Sequence, residues 1–201
     1  MTTTTINQGI RERREQIARR QVVPSAVLGT LVAVGTEIMF FMALVSAYIV
    51  IKAGVGANWI PPSEVRLPVL TTAFNTFVLM LSGVALYMAG RLMKTRGPDK
   101  LTQRTFLAAI LLATFFVGFQ GYEWVQLIKA GMAINSGIFG ACFFLLIGAH
   151  GLHAAAVILA MVWLFLRMKQ GTLTQAHMTA LQIFWAFIVG VWPILYGLVY
   201  F

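Results

Sequence analysis

The sequence predicts an all-helical integral membrane protein, organised as a bundle of five transmembrane helices. Five apolar stretches follow one another along its 201 residues, and each exceeds the roughly 20 residues needed to cross a bilayer core. Apolar residues make up 59% of the chain and charged residues only 10%, whereas about a quarter of the residues in soluble domains are charged. The remaining polar sequence is too short for a separate soluble domain.

The chain divides into a basic tail, residues 1–25, and a membrane domain, residues 26–201. The tail contains a candidate interfacial helix between Arg11 and Arg20. In the loop after the first apolar span, the Pro61–Pro62 pair excludes helix. The predicted spans cover residues 26–51, 67–92, 105–128, 137–166 and 178–201.

The basic residues predict the orientation of the bundle. All Lys and Arg residues except Lys52, Arg66 and Lys129 fall in the segments on the N-terminal side of the membrane. Because cytoplasmic loops are enriched in Lys and Arg, we expect the N-terminus in the cytoplasm and the C-terminus outside. Membrane topology thus accounts for the net charge of +9, and no nucleic-acid partner is expected.

Polar side chains inside the apolar spans are the candidate functional residues, because they are costly in a membrane unless they are satisfied. One set lies near the middle of its spans and the other in the outer halves. The first set is Glu37, His150 and His153, and the second is Asn75, Gln120 and Glu123.

The two histidines of the fourth span predict a polar contact between helices. His150 and His153 are three residues apart and therefore lie on one side of a helix. Gly148 and Gly151 beside them permit close approach of another helix. We expect the histidines to face protein, and Glu37 to lie within about 3.2 Å of one of them.

No catalytic or metal-binding pattern is present in the sequence. Haem ligation by two histidines usually uses facing helices, but only the fourth span contains histidine in its interior. Neither the Glu-x-x-His motifs of a di-metal bundle nor a Ser-His-Asp set, nucleotide loop or Cys cluster occurs. The intramembrane acid and histidines then fit either a proton relay or a hydrogen-bonded pair that joins two helices.

Basic residues at the end of the second span and in the loop before the third form a candidate site for anionic lipid headgroups. Topology alone explains them equally well. They are Arg91, Lys94, Arg96 and Arg104.

Four segments carry a resemblance to a known family. Residues 36–41 read Thr-Glu-Ile-Met-Phe-Phe, and residues 120–124 read Gln-Gly-Tyr-Glu-Trp. Residues 137–153 begin with Gly-Ile-Phe-Gly and end with Gly-Ala-His-Gly-Leu-His. Together with residues 68–89, they resemble, in order and on matching helices, subunit III of the haem-copper respiratory oxidases, the cytochrome c and quinol oxidase family. The resemblance covers about residues 35–201, and five spans suit the shorter bacterial form.

The last span departs from that family's pattern. Ala186 stands where the family typically has histidine, Val189 where it has aspartate, and Thr179 where a glutamate is usual near the start of the helix. These replacements put any proton-related or lipid-related role of this helix in doubt and indicate a divergent branch.

The resemblance implies an accessory subunit of a proton-translocating terminal oxidase in the bacterial inner membrane, active in aerobic respiration. Such a subunit carries no haem or copper, which belong to its partners, subunits I and II. It supports proton uptake by subunit I and shelters phospholipid. The residues carried over as a buried polar network are Glu37, Glu123, His150 and His153. A subunit-III-like component of a nitric oxide reductase or another respiratory supercomplex is the alternative, and an independent small transporter is the third.

Overall fold

The computed structural model describes residues 24–56, 59 and 67–201, in which five α-helices and no β-strand occur. All five are long and apolar enough to cross a membrane, which confirms the predicted fold class. The interfacial-helix candidate and the Pro61–Pro62 pair lie outside the described residues. The helices are α1 (Ser25–Val55), α2 (Val69–Arg96), α3 (Lys100–Lys129), α4 (Ile138–Lys169) and α5 (Gln175–Tyr200).

Helices α3 and α5 begin before their predicted apolar spans because capping side chains, rather than apolar residues, define their first turns. Asp99 precedes α3, and its side chain accepts a hydrogen bond of 2.7 Å from the backbone N–H of Thr102. Thr174 occupies the equivalent position before α5. Such residues satisfy the free N–H groups of a first helical turn. Residues 100–104, of which all but Leu101 are polar, are therefore helical although they are not part of the apolar span.

The last helix lies at the centre of the bundle. Helices α1, α2 and α4 all pack against α5, while α3 packs against α2 and α4. The α2–α3 hairpin is the most extensively packed pair. By contrast, α1 packs mainly on α5 and touches α4 only slightly, so α1 is the most peripheral of the five helices.

Polar side chains on one side of α5 donate hydrogen bonds to α2. Since the two helices are antiparallel, later positions of α5 bond to earlier positions of α2, and the bonds form a ladder along both helices. These bonds run from Gln182 to Leu86 and Tyr87, from Trp185 to Ser82, from Trp192 to Thr76 and from Tyr196 to Val69, at 2.8–3.1 Å.

A glycine in α2 permits the hydrogen bonds that Gln182 donates in this ladder. A Cβ atom at Gly90 would overlap the amide group of Gln182, which donates to two backbone carbonyls of α2. The absence of a side chain at Gly90 therefore lets α5 approach α2 closely enough for this bond, as small residues do in membrane helix interfaces.

A second glycine, Gly140 in α4, is expected to tolerate no side chain. Its Cβ atom would overlap the backbone oxygen of Ala133 and the hydroxyl of Ser136 in the preceding loop. We expect Gly140→Ala to lower the free energy of unfolding by about 1–2 kcal/mol, because the backbone must move to relieve the overlap. Titration with SDS in mixed micelles measures this change.

Gly118→Ala in α3 is the matched control, since no atom lies within 4 Å of the new methyl group. This variant should keep or slightly raise the free energy of unfolding, because alanine favours helix over glycine. Equal losses in the two variants would show that the overlap at Gly140 is not the cause.

Candidate functional site

The first polar group joins α1 to α4. Oε2 of Glu37 lies 3.0 Å from Nε2 of His153, and each side chain is 23% exposed. The other ring nitrogen of His153, Nδ1, lies 2.7 Å from the backbone oxygen of Ala149. The structure thus places Glu37 against His153 rather than His150, the two candidates between which the sequence did not decide.

This geometry assigns the tautomer of His153. A carbonyl oxygen only accepts hydrogen bonds, so Nδ1 of His153 must carry a proton in order to bond to Ala149. Nε2 then faces the carboxyl group of Glu37 at ion-pair distance. Each group is thus the polar neighbour of the other, which lowers the cost of placing both in a membrane.

Aromatic rings cover one side of this pair. Phe40 and Phe41 follow Glu37 by about one helical turn, and their ring centroids lie 5.7 and 5.4 Å from that of His153. Phe41 is 3% exposed and also contacts Phe187 of α5. The aromatic residues after Glu37 therefore anchor α1 and hold the carboxyl group at the depth of His153.

We expect Glu37→Leu to lower the free energy of unfolding by about 1 kcal/mol, because Nε2 of His153 loses its partner at a partly exposed site. Glu37→Gln should lose less than half of this, since its amide can donate to Nε2 as a protonated carboxyl group does. The measurement is SDS titration of both variants in His153 and His153→Phe backgrounds. Additive effects of the two substitutions would show that no coupling exists between them.

The second polar group surrounds the carboxylate of Glu123 on α3. Oε1 accepts a hydrogen bond of 2.6 Å from the hydroxyl of Thr71, and Oε2 accepts one of 3.0 Å from Thr72. Gln120, one turn earlier, donates a bond of 3.2 Å to Oε2. Glu123 is 4% exposed, so protein groups replace water around both oxygens.

The position of Glu123 also suits a negative charge. Thr71 and Thr72 belong to the first turn of α2, which begins at Val69. The first turn of a helix carries partial positive charge from its free N–H groups. The α2–α3 hairpin therefore brings the carboxylate to the electropositive end of α2.

Asn75 extends this group towards the middle of the bundle. Its Nδ2 atom donates to the backbone oxygen of Phe116 at 3.1 Å and lies 3.5 Å from Oε1 of Gln120. Asn75 is fully buried. The three outer polar residues predicted from sequence thus form one cluster, which we call the Glu123 cluster (Thr71, Thr72, Asn75, Gln120 and Glu123).

His150 belongs to neither polar group. It is completely buried, and neither ring nitrogen has a hydrogen-bond partner among the described residues. Its neighbours are rings: Trp192 at a centroid distance of 5.0 Å, Phe41 at 6.2 Å and Phe116 at 6.4 Å. The six predicted polar residues therefore form two separate groups and one isolated imidazole.

Sequence reasoning missed the hydroxyl residues of α2. Thr72, Thr76 and Ser82 bond to α3 or α5, and together with Asn75 they recur at a spacing close to 3.6 residues. A polar stripe with this period on an apolar helix marks a face that contacts other helices, and this signal would have identified them.

The four predicted headgroup residues lie at one end of the bundle. Arg91, Lys94 and Arg96 are exposed in the last turns of α2, and Arg104 is exposed near the start of α3. The guanidinium of Arg91 lies 5.8 Å from the ring centre of Tyr87. Across the described part of the chain, no group of three or more His, Cys, Asp or Glu residues has a geometry that could hold a metal ion.

Comparison with known proteins assigns the family. A family model described as cytochrome c oxidase subunit III matches residues 15–201. The chain belongs to the cytochrome c oxidase subunit III family. It is 33% identical over 177 residues to the probable cytochrome c oxidase subunit 3 of Nocardia farcinica, covering 87% of this chain and 86% of that protein. The corresponding Mycobacterium leprae protein is 32% identical over 206 residues, covering 100% and 99% of the two chains. The Arabidopsis thaliana cytochrome c oxidase subunit 3 is 31% identical, covering 86% of this chain and 66% of that protein.

Membership of the subunit III family makes the chain a multi-pass membrane protein, and the family carries no redox centre of its own.

The structure shows where the divergent residues of the last helix lie. Ala186 and Val189 both line a groove of about 390 Å³ between α2 and α5. At these two positions, where the resemblance led us to expect histidine and aspartate, the groove is lined by apolar side chains. Thr179 is half-buried in the second turn of α5.

Proposed function

We propose that the chain is the accessory subunit III of a haem-copper terminal oxidase in an aerobic respiratory chain, where it binds subunits I and II. The observation that carries this proposal is the match to the subunit III family over residues 15–201. In this role haem and copper are held by the partner subunits. The chain contributes a membrane bundle that stabilises the complex and supports proton uptake by subunit I.

The two polar groups have different roles in this proposal. The Glu123 cluster is structural, because each carboxylate oxygen already accepts hydrogen bonds from protein donors. The Glu37–His153 pair is the group suited to proton-related function, since it is partly exposed and brings two titratable side chains within 3.0 Å of each other. Intramembrane acid–histidine pairs commonly serve in this way.

The proposal places the chain in a bacterial cell membrane with its N-terminus in the cytoplasm. The exposed basic residues at the ends of α2 and α3 then face the cytoplasmic leaflet, where anionic phospholipids attract Lys and Arg. Arg91, Lys94, Arg96 and Arg104 are the proposed headgroup contacts. Bound phospholipid is thus part of the proposed complex.

Purification from native membranes tests the assignment. A tagged chain at native expression is isolated in mild detergent, and the eluate is analysed for haem, copper and its reduced-minus-oxidised spectrum. Large haem-containing and copper-containing partners with an oxidase spectrum support the proposal and identify the haem type. A haem-free chain, obtained from membranes in which the oxidase remains intact, contradicts it, and a nitric oxide reductase in the eluate assigns the chain to the other complex.

A further inference from the structure

A cavity of about 300 Å³ lies between α3 and α4, and Trp192 of α5 also lines it. The cavity occurs where the helices carry glycine, at Gly121 on α3 and at Gly148 and Gly151 on α4. A Cβ atom at Gly148 would approach only the indole ring of Trp124, at 3.6 Å. The missing side chains therefore leave room that the neighbouring residues do not fill.

Two polar side chains on this cavity lack partners. His150 is completely buried, and neither of its ring nitrogens has a hydrogen-bond partner among the described residues. The indole nitrogen of Trp124 is also buried without one. Unsatisfied buried donors cost about 1–3 kcal/mol each, so these groups favour a ligand that supplies acceptors. Neither group contributes to the Glu123 cluster or to the Glu37–His153 pair.

The walls restrict the chemistry of this ligand. None of the described residues that line the cavity is charged, so a phosphate or another ion would find no counter-charge. The rings of Phe116, Trp124 and Trp192 line it together with His150, and aromatic walls favour flat rings. Leu152, beside the cavity, is 72% exposed on the membrane-facing surface. A ligand would therefore enter sideways from the bilayer.

We propose that this cavity binds a neutral, membrane-soluble ring compound with carbonyl oxygens, of the quinone type. Trp124 has an N–H donor, and an imidazole has at least one N–H in either protonation state. Carbonyl oxygens would satisfy both groups once the rings turn their buried nitrogens towards the cavity. The volume lies at the lower end of the range for small-molecule sites and accommodates a two-ring headgroup. The inference concerns binding only, and it stands independently of the partners assigned to the chain.

The probe is menadione, a naphthoquinone without an isoprenoid tail, and naphthalene provides the same rings without carbonyl groups. The full-length chain, with the subunits that co-purify in mild detergent, is placed in nanodiscs. Bound probe is measured by equilibrium dialysis, with empty nanodiscs as the background. We expect saturable binding of menadione, with naphthalene binding about tenfold more weakly because it accepts no hydrogen bond.

Variants locate this binding within the chain. Gly148→Leu fills the cavity, and Val117→Phe obstructs it from a half-buried position on α3, so both should abolish saturable binding. Gly190→Leu is the matched control, because Gly190 lies on α5 away from this cavity and has no atom within 4 Å of a new Cβ. Trp124→Phe keeps an aromatic wall but loses the donor, and should weaken binding about fivefold.

Three results would overturn the proposal. Menadione retention equal to that of empty nanodiscs would mean that the cavity binds no quinone. Naphthalene binding as tightly as menadione would mean an apolar occupant such as an acyl chain. Unchanged binding in both Gly148→Leu and Val117→Phe would mean that the quinone binds elsewhere, and testing two variants on different helices protects this result from a folding defect in one of them.

Discussion

Trp192→Ala is expected to lower the free energy of unfolding by about 3–5 kcal/mol, the largest loss predicted for this chain. The side chain is completely buried, and its ring contacts those of Phe116 and His150, each at a centroid distance of 5.0 Å. Its indole N–H also donates to Thr76 at 2.8 Å. The substitution therefore removes packing at the centre of the bundle and one bond of the ladder between α5 and α2.

Trp163→Ala is the control for this measurement. Trp163 is the same residue type on α4, but it is 55% exposed, and surface substitutions usually change stability by no more than about 0.5 kcal/mol. SDS titration of both variants in mixed micelles gives the comparison. If both lose the same amount, central packing by α5 does not determine the stability of the bundle.

Glu123→Leu is expected to lower the free energy of unfolding by about 2–3 kcal/mol. Hydrogen bonds to a charged group contribute about 1.5–3 kcal/mol, and Glu123 accepts three. The loss is smaller than their sum because the hydroxyls of Thr71 and Thr72 also lie within 3.0 Å of the backbone oxygen of Pro68. They can turn to this acceptor, whereas the amide of Gln120 loses the carboxylate partner.

Glu123→Gln separates hydrogen bonding from packing at the same site. Its carbonyl oxygen still accepts from one hydroxyl, so we expect it to lose about half as much as Glu123→Leu in the same titration. In a Gln120→Leu background, the effect of Glu123→Leu should shrink, because the donor that depends most on the carboxylate is already absent. A full-sized effect in that background contradicts the proposed role of Gln120.

The sequence was sufficient to predict the five helices. Apolar length and composition determine whether a segment crosses a membrane, and both are local properties. The contact between Glu37 and a histidine of α4 was predictable for a similar reason, since an acid in the first span required a partner and the fourth span alone held histidines.

The choice between the histidines was not predictable from sequence. His150 and His153 differ by about 60° around the helix axis, given 100° per residue. The rotation of α4 relative to α1 depends on packing that involves Phe41, Phe187 and α5. The sequence pattern of α4 alone contains no information about that rotation.

The threonines that bond to Glu123 show a second reason why some contacts could not be predicted from the sequence. Thr71 and Thr72 each reach a backbone carbonyl of their own helix, which is the usual arrangement for threonine in membrane helices. Their additional contact with α3 depends on the register of the α2–α3 hairpin. The period of the polar stripe places Thr72 on the face that contacts other helices, but it does not show that this residue bonds to the distant carboxylate of Glu123.

The position of α1 has a consequence for biosynthesis. The first described helix packs mainly on the last, α5, and scarcely touches α4. During translation α1 enters the membrane before the partner that will cover it has been made, whereas α2 and α3 can pair as soon as they emerge. The bundle is therefore complete only when α5 has been inserted. Until then, the surface of α1 that packs on α5 stays accessible to the insertion machinery and to chaperones.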